Sequence, residues 1–78
     1  MKVTGAYIYS HKEDTGEEII DTWGVVAVGC GLQCFVLPDI SVERAEAEAF
    51  ALHIVHKEFT HEQLQKAACD YIETLYFL

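Results

Sequence analysis

The chain reads as an α+β protein: a three-stranded antiparallel β-meander followed by two C-terminal α-helices packed on the sheet, in the order βββαα. Three observations predict this. Residues 1–40 collect β-branched and aromatic runs separated by short polar or glycine-bearing connections. Residues 41–78 switch to alanine-rich, helix-spaced apolar positions. Within that half, Thr60 followed three residues later by Gln63 marks a second helix start. A length of 78 residues predicts one compact domain over 1–78, near the lower end of what buries its own core.

The first strand is expected in "KVTGAYIYS", with Val3, Tyr7 and Tyr9 on one face by alternation. "HKEDTG" then reads as a polar connection ending in glycine. "EEIIDTWGVVAVG" is long for one strand; Asp21 interrupts its buried face and Gly24 is placed as a bulge or bend. Gly29, Cys30 and Gly31 form a turn signal, because glycine accepts the positive φ that tight hairpins demand. "LQCFVL" makes the third strand, and Pro38 is expected to end it. Strands joined so closely pair as an antiparallel meander.

For the first helix, Asp39 or Ser41 is the expected cap, Glu43 lies in the opening turn, and "VERAEAEAFALHIVHKEF" carries the periodicity. It has two apolar faces, Ala45, Leu52, Val55 and Phe59 on one and Ala47, Phe50 and Ile54 on the other. One must cover the sheet, and the other meets the second helix, a second copy of the chain or a different protein. Phe50 and Ile54 are the candidate oligomer interface, with a homodimer left open beside the simpler packing inside one domain. In the second helix Phe59 and Leu64 flank the Thr60 capping box as a hydrophobic staple. Leu64, Ala67, Ala68, Tyr71, Ile72, Leu75 and Leu78 form its stripe. One continuous helix is excluded, because the stripes before and after Thr60 differ in phase by about 140°.

Chemistry is sparse. Histidines 53, 56 and 61 crowd "HIVHKEFTHEQ", yet neither HExxH nor paired CxxC occurs, so no metal or cofactor is expected. No P-loop, GxSxG or EF-hand loop is present, and the chain reads as non-enzymatic, with no catalytic residue. Three cysteines cannot all pair; as reduced, buried thiols they point to a cytoplasmic setting. The N-terminal residues lack the pattern of a signal peptide, and no apolar run suffices to cross a membrane.

Charge carries the strongest message. Thirteen acids against five bases give −8, which disfavours direct binding of nucleic acid. Glu13, Asp14, Glu17, Glu18 and Asp21 gather around the first hairpin, and Glu43 and Glu46 at the start of the first helix. These seven are the expected binding face for a partner protein with a basic, nucleic-acid-binding surface. In size, charge and build the chain is similar in type to phage-encoded anti-defence proteins of the anti-CRISPR kind, which implies an inhibitor or adaptor acting by nucleic-acid mimicry.

Strand–strand–strand–helix, with "WGVVAV" in the second strand and "ERAEAEAFAL" opening the helix, also resembles the first half of ribonuclease H-like domains over residues 3–57. The reduced form of that fold in HicB-type antitoxins is similar in outline. The resemblance implies a regulatory, antitoxin-like module acting through oligomerisation, or, further off, a metal-dependent hydrolase. In the hydrolase, Glu46 or Glu48 would match the family's helix carboxylate. "AYIYS" has no aspartate where that family places its first metal ligand. Glu46 and Glu48, two apart, also point about 160° away from each other.

Overall fold

The computed structural model describes residues 1–14, 16–31 and 33–76, without the side chains of Glu13 and Tyr76. Three antiparallel strands, β1 (Val3–Asp14), β2 (Ile19–Gly29) and β3 (Cys34–Ser41), form one sheet in the order β1-β2-β3. Two helices follow, α1 (Arg44–Ile54) and α2 (His61–Tyr76). The predicted βββαα order is the observed one. Both helices lie on the same face, α1 beneath β1 and β2 and α2 beneath β3.

β2 sets the core because it pairs on both sides. Its odd-numbered residues Val25 and Ala27 are fully buried, opposite Ile8 and Ala6 of β1 and Leu37 and Phe35 of β3. Ala47, Phe50, Ala51 and Ile54 of α1 and Leu64 and Ala68 of α2 close over them. The rings of Phe50 and Tyr71 meet at 5.0 Å, and the Tyr71 hydroxyl donates to the Glu46 carbonyl at 2.8 Å. Those contacts tie the two helices together.

Several expectations are corrected. β1 runs four residues past Ser10, so the polar stretch 11–14 is strand rather than connection, paired with 19–22. Beyond Trp23, β2 has no partner in β3, and residues 11–14 with 19–22 therefore project as a two-stranded ribbon. The turn at its end places Gly16 at φ +88, where its N–H meets the Asp14 carboxylate at 2.8 Å. Val3 does not share a face with Tyr7: a register shift between Val3 and Gly5 turns it into the core while Tyr7 faces out. β3 passes through Pro38 to Ser41, which an edge strand tolerates because it has no further neighbour to bond. A second register shift, between Trp23 and Val25, makes the predicted irregularity at Gly24.

α1 ends at Ile54, five residues short of the predicted extent. The chain then turns extended at Val55 and left-handed at His56, and residues 56–59 run beside the N-terminal residues. Val3 N–H donates to Lys57, His56 N–H to Val3, and Phe59 N–H to Met1. Those backbone bonds compensate for the lost helical ones. The Thr60 box forms as predicted: Thr60 N–H to Gln63 at 2.9 Å and Gln63 N–H to the Thr60 hydroxyl at 3.1 Å. Leu78 of the expected stripe lies outside the described residues.

The largest correction concerns the two faces of α1. Phe50 and Ile54 are core residues, 1% and 0% exposed, and cannot form an oligomer interface in this fold. The outward face carries Leu52, 76% exposed. The sheet takes the face with the larger side chains, since burying Phe and Ile removes more apolar area than burying Ala45 and Leu52. Phe50→Ala should accordingly cost about 3–5 kcal/mol of unfolding free energy in urea titration, whereas Leu52→Ala should stay within about 0.5 kcal/mol.

Candidate functional site

The ribbon and the start of α1 meet at one end of the molecule. Ser41 pairs with Trp23 at the ribbon's base, and the Arg44 guanidinium stacks 5.4 Å over the Trp23 ring. Ser41 organises the helix start: its hydroxyl accepts from Glu43 N–H at 3.0 Å and donates to a Glu46 carboxylate oxygen at 3.1 Å. It thus does the work expected of an N-cap from outside the helix. Asp39, the alternative cap, is used elsewhere. It sits at φ 56 and accepts from the Thr22 hydroxyl at 2.9 Å.

Around this frame lie Asp14, Glu17, Glu18 and Asp21 on the ribbon and Asp39, Glu43 and Glu46 at its base. All are exposed except the half-buried Glu46. The Glu13 side chain lies outside the described residues, while its backbone pairs with Ile20. Counting it by position, eight of the thirteen acids are at this end. Two bases accompany them, Lys12 opposite Asp21 and Arg44, which ion-pairs with Glu48 at 2.9 Å. The molecule is elongated, 41 by 28 by 21 Å, and most of its negative charge gathers at one pole. Exposed apolar groups sit within the acids: Ile19, 67% exposed, on the ribbon and Val42 beside Glu43. Apolar centres with a charged surround suit protein contact better than a uniformly charged surface does.

The sequence-chosen acids therefore share a pole but not a single flat face. Strand alternation turns Asp14 and Asp21 to the helix side of the ribbon. Glu46 is partly committed to Ser41 and Glu48 to Arg44, so these two acids act in separate local pairs. Asp39 was missed by sequence reading; its left-handed backbone is a tertiary consequence of the β3 irregularity.

Among the described residues, no three His, Cys, Asp or Glu side chains gather as a metal would need. The histidine cluster disperses. His53 faces Lys57, with 3.5 Å between Nδ1 and Nζ; His56 is exposed in the turn; His61 stacks on Phe35 at 5.0 Å. Cys30, Cys34 and Cys69 are free and exposed, correcting the expectation of buried thiols. No described helix is long and apolar enough to cross a membrane. Comparison of the chain with protein-family models, curated proteins and solved structures found no match.

Two tyrosines register their surroundings. Tyr9 lies on Gly24, where an added Cβ would come within 2.6 Å of the ring. Its pKa is raised by burial and then by the Asp39 carboxylate. Tyr71 is raised likewise, by burial and then by Glu46. A tyrosine with a raised folded-state pKa keeps its proton longer than the unfolded chain does. Its stabilising contribution is therefore complete below about pH 10 and is lost as pH climbs through the folded value. Melting temperature should fall as pH rises above about 10, the ordinary value for tyrosine, and Tyr9→Phe with Tyr71→Phe should flatten that fall.

Proposed function

We propose that this protein is a non-enzymatic binding module, an inhibitor or adaptor that presents its acidic pole to a basic, nucleic-acid-binding surface of a partner protein. The observation that supports this reading is the concentration of carboxylates on a projecting β-ribbon that also exposes Ile19. Charge gathered at one pole steers encounter more effectively than the same charge dispersed, because the local potential adds. Carboxylates on such a partner would occupy the sites of phosphates, and Ile19 and Val42 would supply apolar contact. An anti-defence inhibitor of the anti-CRISPR type would use such a surface.

A second reading, a regulatory antitoxin-like module, draws on the β1–β2–β3–α1 order. It differs in depending on self-association rather than on the acidic pole.

The decisive comparison is between two sets of charge reversal equal in size. Asp14, Glu17 and Asp21 changed to lysine alter the pole; Glu58, Glu62 and Glu73 changed to lysine alter net charge equally but elsewhere. With the chain immobilised over a lysate of its host, retained proteins should be released by high salt and by added nucleic acid. Affinity for them should fall at least about tenfold on raising salt from roughly 50 to 300 mM. The pole set should abolish retention while the other set preserves it. Equal loss from both sets would refute the reading, because net charge alone would then account for the binding.

A further inference from the structure

The two edges of the sheet are built differently. β3 is eight residues long, contains Pro38, turns left-handed at Asp39 and shifts register opposite Gly24. Short length, proline and irregular register are the devices that prevent another strand from pairing at an edge. β1 has twelve residues and no proline. Its first residues are covered by 56–59, through Lys2 opposite Glu58. From Thr4 to Asp14 its outer edge has no neighbouring strand among the described residues.

We propose that this open edge pairs antiparallel with the same edge of a second copy of the chain, centred near Tyr9, to form a continuous six-stranded sheet. The segment available, 5–13, gives about 30 Å of edge at ~3.4 Å per residue. A two-fold contact of this kind lets each free N–H of one copy donate to a free carbonyl of the other, and the reverse.

Self-pairing is favoured over an unrelated strand by charge. Antiparallel alignment about Tyr9 sets Lys12 of one copy opposite Ala6 of the other. Ala6 lines a groove between β1 and α1 together with Ile8, Arg44, Glu48, Ala51 and Leu52. Lys12 arrives at Glu48, on the same side of the sheet as the helices. The acidic ribbon end, with Asp14 and Glu17, runs up against residues 56–59, where His56, Lys57 and Glu58 are all exposed. The charges of Lys57 and Glu58 offset each other, so the charge preference rests on Lys12 and Glu48. Parallel alignment would instead lay two acidic ribbons side by side, which like-charge repulsion opposes. In the antiparallel pair the poles lie at opposite ends. The contact also covers Leu52, whose exposure nothing in the single chain relieves.

Sedimentation of the full chain tests this, with three variants. Wild type should sediment as a dimer at concentrations of roughly 10–100 μM, and high salt should not dissociate it, since backbone pairing rather than charge provides most of the contact. Leu52→Glu and Lys12→Glu, both at exposed sites, should weaken the dimer, Leu52→Glu by about a hundredfold, with circular dichroism unchanged. Val36→Glu, on the uncovered face of the sheet, should leave it intact. A wild-type monomer throughout that range overturns the proposal. So does a dimer that survives both Leu52→Glu and Lys12→Glu, or one lost only with Val36→Glu, which would place the contact on the open face. Because partner retention is salt-sensitive and this dimer is not, failure of one reading is distinguishable from failure of the other.

Discussion

The double pairing of β2 is the constraint on which the rest of the structure depends. Among the described strands, only this one pairs with another strand along both edges, so its register decides which side chains of all three strands face the helices. Val25 and Ala27 fix the core side, and their partners Ile8, Ala6, Leu37 and Phe35 follow without freedom of choice. A slip of one residue would turn every one of these to the other face. The two register shifts lie where the strict alternation would have failed. One returns Val3 to the core, and the other lets β3 bend past Gly24 toward the helices.

Local signals were legible in the sequence, and tertiary ones were not. The Thr60–Gln63 box is a contact between near neighbours, so its residues specify it completely. Three strands, two helices and their order followed from periodicity and turn residues. The ribbon did not, because "HKED" lacks the apolar alternation by which strands are recognised. Its pairing rests on backbone bonds, joined by the Thr22 hydroxyl, which donates to the His11 carbonyl at 3.3 Å. Val3 was misplaced because alternation was read as unbroken from Val3 to Tyr9, whereas the register shifts between Val3 and Gly5. The faces of α1 were ambiguous because alanine supplies both. Volume decided between them, through Phe50. Of the candidate site, the clustering of acids in sequence did foretell a clustered pole, but not its division by strand alternation or the part played by Asp39.

The uncovered face of the sheet illustrates a related point. Tyr7 is 65% exposed, Val36 is exposed, and Val26 and Val28 are half-buried between them. A run such as "WGVVAV", apolar at consecutive positions, is the pattern of a strand buried on both sides. Here only one side is covered. Part of that exposure is moderated within the chain, since Tyr9 lies down on Gly24, and a Cβ added at Gly5 would come within 3.3 Å of the Tyr7 hydroxyl. The Tyr9 ring covers backbone that would otherwise be wet, and its closeness explains why glycine occupies position 24.

The charge distribution and the ribbon are linked by the energetics of small sheets. A two-stranded hairpin is marginal in water unless a third strand or a helix supports it. Residues 11–14 and 19–22 have neither beyond Trp23. They contribute little to the core, and like charges packed along them cost some further stability. That cost is small where water surrounds the carboxylates, because the interactions are screened there. A fold under selection for stability alone has no reason to keep such an extension. The proposed function gives the extension a role, because projection would carry the carboxylates and Ile19 to a partner surface that the body of the protein does not reach. The same projection leaves the β1 edge long enough to pair with its own copy. Both proposals place a contact outside the single chain, and they differ in which physical force makes it.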